Sequence, residues 1–191
     1  MHLAFDIFQG IGIAVAVGIR PFLAALVVGA LAAGSVEIHF QGTDFSFLQG
    51  APFLIAMGAA GAVLLVIERR TRGRSLILIL AAFGLALGSL LFAGSLARGH
   101  YTVWPGAVGG ALCAALAVAA TAPLLARVAG RLGGEDASAL PFYAEGLAIL
   151  LALLSVVAPP VGVIVLLLLA WLLVAGRRRA NQKYAGLRIL R

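Results

Sequence analysis

Charge is scarce in this chain. Only 11% of its 191 residues are charged, 14 of them basic and 7 acidic, against about a quarter in a soluble domain. That scarcity excludes a water-soluble globule and an intrinsically disordered segment. Cysteine is nearly absent. Cys113 stands alone, which excludes an intrachain disulfide and a cysteine-rich metal site. Catalytic constellations are also lacking: no zinc-binding His-Glu-x-x-His, no phosphate loop with its lysine, no carboxylate dyad and no nucleophile–base pair. The glycines from Gly106 to Gly110 precede no phosphate-binding lysine and read as helix packing. No enzyme, cofactor or metal is expected. The ten-residue alternation of an outer-membrane strand is missing too, which argues against a barrel. What the chain does have is 63% hydrophobic content and a mean hydropathy of +1.11, the composition of a helical integral membrane protein.

An α-helix needs about 20 apolar residues to cross a hydrocarbon core. Six stretches approach or exceed that: 7–33, 51–67, 75–96, 105–128, 140–158 and 160–175. The expected class is therefore an all-α polytopic protein with six transmembrane helices. The first and fourth stretches are long enough to be tilted or broken. The net charge of +7 is a topology signal rather than a nucleic-acid footprint. Twelve of the 14 basic residues fall in the 69–74 segment, at Arg127 and Arg131, or in the tail. Arg98 lies on the opposite side, and Arg20 falls within the first stretch. The positive-inside bias predicts a cell (inner) membrane protein with both termini cytoplasmic and the 34–50 and 97–104 loops outside. The residues from Met1 to Asp6 carry no positive n-region, so the first span is expected to be retained.

The sequence also shows weak self-similarity in a consistent order. Pro21-Phe-Leu-Ala-Ala-Leu-Val-Val-Gly29 lies over Pro123-Leu-Leu-Ala-Arg-Val-Ala-Gly130, Ala51-Pro-Phe53 over Leu140-Pro-Phe142, and Gly73 over Gly162. Three spans per unit is an odd number, which requires inverted halves, a recurrent build among transporters with the binding site at the repeat interface. The expected division is a first three-helix repeat over 1–97, a second over 98–176 and a basic cytoplasmic tail over 177–191. Pro21 and Pro123 each remove a backbone hydrogen bond and predict kinks in the first and fourth helices. Gly10, Ala14 and Gly18 share a helix face, as do Gly84 and Gly88. Such small-residue faces let backbones approach. Packing within the chain is the favoured use in the first span, and a homo-oligomer is also expected.

Arg20 stands out among the charges. As one continuous helix counted from Phe8, the first span places it about 18 Å deep, where an arginine costs about 2.5–3.5 kcal/mol or more to insert. It should face a polar interior and have a partner. Glu145, about 9 Å into the fifth span, is the expected one; where it is not locked to Arg20 it is the natural proton or cation site. Glu68, next to Arg69 and Arg70, is read as an interfacial charge and a secondary site residue. Glu37, His39, Asp44 and His100 bring two imidazoles and two carboxylates to the outer loops, but without metal-ligand spacing. The alternating Val36–Phe40 segment with Phe45 and Phe47 reads as an amphipathic cap on the membrane surface. Trp104 and Pro105 mark the outer interface and the first turn of the fourth helix. The tail, with Arg177, Arg178, Arg179 and Lys183, reads as a segment lying on anionic lipid.

These residues resemble an uncharacterised prokaryotic integral-membrane family, the domain of unknown function numbered 4126. The resemblance extends over most of the chain. It rests on Gly18-Ile-Arg-Pro-Phe-Leu23, on Glu145 after a proline-containing loop, and on the ending Lys183-Tyr-Ala-Gly-Leu-Arg-Ile-Leu-Arg191. Members carry an acidic residue at the end of the second span followed by an Asp-Lys-Pro run. Glu68 matches the acid, whereas Arg69–Arg74 replaces the run. The resemblance implies a multi-span inner-membrane protein and no particular activity.

The expected function is a small transporter or channel for an ion or small polar solute, with a midplane site formed by Arg20, Glu145, Gly18 and the Pro21 and Pro123 kinks. The alternatives are a structural or accessory membrane protein, with Arg20–Glu145 as an internal clasp, and a lipid-handling protein. Membrane lipids and the transported species are the expected partners, and nucleic acid is not.

Overall fold

The computed structural model describes residues 2–70, 74–132 and 134–185, with side chains described for 3–68, 75–132 and 139–176. The regular elements among them are all helical. They are α1 (His2–Ile19), α2 (Pro21–Ala33), α3 (Ala51–Arg70), α4 (Arg74–Arg98), α5 (Trp104–Arg131), α6 (Gly134–Val157) and α7 (Pro160–Ala185), with a short 3-10 turn at Ser46–Gln49. Four segments are long and apolar enough to cross a membrane: Ala51–Glu68, Ser75–Arg98, Trp104–Arg131 and Ala139–Val157. Leu3–Ile19, Pro21–Ala33 and Pro160–Gly176 are shorter apolar helices. The all-helical membrane class holds.

The first expected span is not one helix. Proline fixes its own φ, lacks an N–H and pushes the residue before it out of the helical region. Arg20 obeys, at φ −146° and ψ 110°, and Pro21 opens α2 in the first turn, where no N–H is needed. The chain then doubles back. Asp6, near the start of α1, meets Arg98 at the end of α4. Gly10 lies against Phe92, and Gly18 lies within reach of Gly84. So α1 runs antiparallel to α4. Along α2, Phe22 and Leu23 pack on Gly61 of α3, while Gly29 meets Leu48 and Leu54, so α2 runs antiparallel to α3. The start of α1 and the end of α2 thus lie at one end of the bundle, with Arg20 at the tip of a helical hairpin.

That end carries the 34–50 loop and the α4–α5 connection and is termed the loop end. The other, the basic end, carries the ends of α3 and α5, the starts of α4 and α6 and the last turns of α7. The reversal at Arg20 gives an odd number of helices among the described residues. The described chain therefore begins at the loop end and finishes at the basic end, which corrects the expectation that both termini share one side. It also corrects the depth of Arg20. With α1 starting at the loop end and rising about 27 Å over its 18 residues, Arg20 lies toward the basic end rather than at mid-depth.

Helix α1 is the central element. Residues Ile13 to Val17 are all 0% exposed, as expected of a helix apolar on every side. Close approach is achieved through residues without side chains. A Cβ on Gly18 would lie 2.7 Å from the Ala114 backbone, and Gly12 faces Gly162 of α7 backbone to backbone. Gly110 packs directly on the carbonyl of Gly88, joining α4 to α5. The small-residue faces predicted at Gly10–Gly18 and Gly84–Gly88 are occupied within one chain.

The 34–50 loop differs from the surface cap expected of it. Ile38, Phe40 and Leu48 are fully buried, whereas Val36 and Phe47 are exposed. The Phe40 ring lies against Gly94, and the Phe40 N–H donates to Gln49 Oε1 at 2.9 Å. The loop is a plug inserted into the bundle. Helix α7 continues through the boundary expected at 176/177, reaching Ala185. The side chains of Arg177, Arg178, Arg179 and Lys183 lie outside the described ones.

Candidate functional site

Three charged side chains converge at the tip of the hairpin. Arg20 Nη1 donates to Glu68 Oε1 at 2.5 Å, and Arg20 Nε lies 3.9 Å from Glu145 Oε1. All three residues are buried, with 6%, 9% and 3% exposure for Arg20, Glu68 and Glu145. Glu68 is thus the direct partner of Arg20, which corrects its reading as an interfacial charge, and Glu145 is the second carboxylate. Glu145 Oε1 and Oε2, Glu68 Oε2 and Arg20 Nε have no hydrogen-bond partner among the described residues.

The local sequence explains how such a cluster forms. The break at Arg20 ends α1 and starts α2 at the same point, so a helix C-terminus and a helix N-terminus adjoin the cluster. The first attracts cations and the second anions, which lets one place hold a guanidinium and carboxylates together. Residue 20 leaves α1 without competing for space in the apolar interior. Glu68, near the end of α3, and Glu145, in the first half of α6, come to it from two further helices. Pro21 is fully buried beside them.

A cavity of about 380 Å³ opens on this cluster. Gly18, Arg20 and Glu68 form its charged end, Leu76 and Leu80 of α4 one wall, and Leu125 and Leu140 another. Gly18 is therefore at the site, as expected. Pro123 is not. It sits on an exposed face of an unbroken α5, and its carbonyl accepts a hydrogen bond from Arg127 Nε at 3.0 Å. The matched prolines have different local structures because Pro21 opens a helix whereas Pro123 lies inside one. The polar residues near Pro123 that do face the cavity include Thr121, whose hydroxyl donates to the Ala117 carbonyl at 2.7 Å.

A second polar cluster lies at the loop end, and the sequence reading passed over it. Arg98 Nη2 meets Asp6 Oδ1 at 2.5 Å, while Arg98 Nη1 donates to the Glu37 carbonyl at 2.5 Å. Gln9 Nε2 donates to the Val156 carbonyl at 3.3 Å and approaches the Glu37 carbonyl at 3.5 Å. Ser95 Oγ, whose hydroxyl donates to the Phe92 carbonyl at 2.8 Å, lies 3.3 Å from the Asp6 carbonyl. Glu37 has a positive φ of 56°, a left-handed conformation uncommon for a residue with a Cβ, and its carbonyl serves both clamping side chains. Four parts of the chain are tied here: α1, the 34–50 loop, α4 and α6. The available signal was Asp6 and Gln9, three apart on one helix, with Arg98 the one basic residue on that side. Among the described residues no group of three or more His, Cys, Asp or Glu side chains converges.

No protein-family model, no curated protein and no solved structure matches the chain.

Proposed function

We propose that the protein is a small ion-coupled membrane transporter whose working site is the Arg20–Glu68–Glu145 cluster. The observation that carries the reading is charge balance. Two buried carboxylates surround one buried guanidinium, so the ionised cluster holds one excess negative charge in a low-dielectric setting. A lone buried charge is costly, and a proton or a monovalent cation would neutralise it. The site lies at a helix break next to a cavity, the arrangement by which discontinuous membrane helices bind ions. Irregular backbone at depth is tolerated where it is enclosed in protein or lines a cavity.

The two ends of the bundle support an alternating mechanism. The loop end is closed by the Ile38–Phe40–Leu48 plug and by the Asp6–Arg98 and Gln9 contacts. The cavity lies on the other side of this seal, bounded by parts of α4, α5 and α6 near the basic end. One closed end and one accessible cavity make a single state of a cycle. The basic end is the cytoplasmic one by the positive-inside bias, which places the start of α1 outside and the end of α7 inside a cell membrane. The inverted repeat, on this reading, relates α2–α4 to α5–α7, which run in opposite directions, with α1 as an additional central helix.

Reconstituted vesicles test the proposal. Wild-type protein should exchange an imposed proton gradient against Na⁺ or K⁺ faster than empty vesicles, and Glu145→Gln should abolish the exchange. Absence of proton, Na⁺, K⁺ or Cl⁻ flux above the empty-vesicle level would overturn it in favour of a structural clasp.

A further inference from the structure

Adjoining the first cavity is a second, of about 420 Å³, lined by α5, α6 and α7. It is almost wholly apolar. The two share Ile19, Thr121, Leu125 and Leu140 as walls, which sets the apolar space next to the cavity that holds the charged cluster. Its outer rim includes Tyr143, Leu147 and Leu168, which are 74%, 58% and 51% exposed. In a membrane-spanning bundle those side chains face lipid. An oily groove at the lipid-facing surface between α5, α6 and α7 thus adjoins the cavity lined by Arg20 and Glu68.

We infer that this groove and cavity bind a membrane-soluble amphipathic amine, with its apolar chain in the α5–α6–α7 groove and its ammonium at Glu68. The inference rests on the proposed transport site and names the class of molecule it takes. Three features carry it. The walls are apolar along their length and end in charge, which fits a molecule built the same way. The combined space lies in the size range of small-molecule pockets, about 300–1,000 Å³. The sign of the head follows from the unpartnered atoms. Glu68 Oε2, Glu145 Oε1 and Glu145 Oε2 are acceptors, against the single unpartnered donor Arg20 Nε. An ammonium supplies N–H donors and the one positive charge the cluster lacks. A carboxylate or phosphate head would meet the unpartnered Glu68 Oε2 and add to the excess negative charge. Glu68 is at the cavity surface, so the head meets it there, while Glu145, 3.9 Å from Arg20, adds its charge to the cluster.

The test is equilibrium binding of radiolabelled dodecylamine to the full chain in phosphatidylcholine nanodiscs, with unlabelled dodecylamine, dodecanoate and dodecanol as competitors. Dodecylamine should compete at least about tenfold more tightly than the acid or the alcohol, the difference expected of one charge-assisted contact. Glu68→Gln should weaken binding by a similar factor. Leu168→Trp, a change on the exposed rim that leaves the interior intact, should weaken it as well by narrowing the groove. Equal competition by dodecanoate would overturn the assigned sign, and equal competition by dodecanol would overturn any role for the head. Loss of dodecylamine binding in phosphatidylethanolamine discs would support the inference and name an amine-headed lipid as the occupant. Amine binding without ion flux would remove the transport reading alone; ion flux without amine binding would remove this inference alone.

Discussion

Arg20 and Glu68 are 48 positions apart in the chain, yet their side chains meet at 2.5 Å in the interior, one at a helix break and the other near the end of α3. The pair joins the tip of the α1–α2 hairpin to the basic end of the bundle. Glu145, 3.9 Å from Arg20, makes the arrangement a three-charge cluster rather than a simple bridge.

Removing Arg20 leaves two carboxylates facing each other without a counter-charge. Arg20→Ala should therefore destabilise the protein by about 3–5 kcal/mol, the range for breaking a buried pair. The double variant Arg20→Ala/Glu68→Ala should recover part of that loss, because only Glu145 then remains. Denaturant unfolding in bicelles measures both. A double variant less stable than Arg20→Ala would show that the two carboxylates do not repel.

The hairpin makes a topological prediction. In a Cys113→Ala background, cysteines placed at Leu3 and Asp44 should react with a membrane-impermeant maleimide from the same side. A cysteine at Leu132, near the end of α5, should react only from the other. Labelling of positions 3 and 132 from one side would restore a first span that crosses without reversing.

Glycines differ in what surrounds them. Gly110→Leu should prevent assembly, since its side chain would enter the Gly88 carbonyl of the neighbouring helix. Gly130 and Gly146 have open space around them, and Gly130→Ala or Gly146→Ala should be neutral or stabilise by up to about 1 kcal/mol through helix propensity. Thermal unfolding of the purified variants distinguishes these outcomes.

At the loop end, Arg98→Ala leaves a buried Asp6 carboxylate without its partner and releases the Glu37 carbonyl. A loss of about 2–3 kcal/mol is expected, the cost of stranding a buried charged group. Hydrogen exchange should speed up first in residues 36–40. Asp6→Asn, which keeps an acceptor for Arg98, should cost less. Equal exchange in Arg98→Ala and wild type would mean that the plug, not this cluster, closes the loop end.

Much of this was legible in the residues themselves. The scarcity of charge identified the solvent, and the run of arginines marked one end of the bundle. Arg20 was recognisable as a buried charge needing a partner because no helix can hide a guanidinium in hydrocarbon cheaply. Pro21 announced a disturbance in the first span. Its consequence was not legible: a proline at a kink and a proline opening a new helix look alike in sequence, and only the packing of α2 on α3 distinguishes them. Pro123, aligned with Pro21 by sequence, lies within a continuous helix. Glu68 was undervalued because its neighbours are arginines, which suggested a surface. The Asp6–Arg98 cluster was passed over because its members are 92 residues apart.

By itself, then, the sequence determined the helical membrane class, the basic end and the presence of a buried arginine, because these follow from composition and from local chain geometry. Tertiary structure alone decided the direction of α1, the choice of Glu68 over Glu145 as the closest partner, the burial of Phe40, and the opening of a cavity on Arg20 and Glu68. Each of these depends on which helix faces which, and that is set by the shapes of small-residue surfaces meeting across the bundle rather than by any segment on its own.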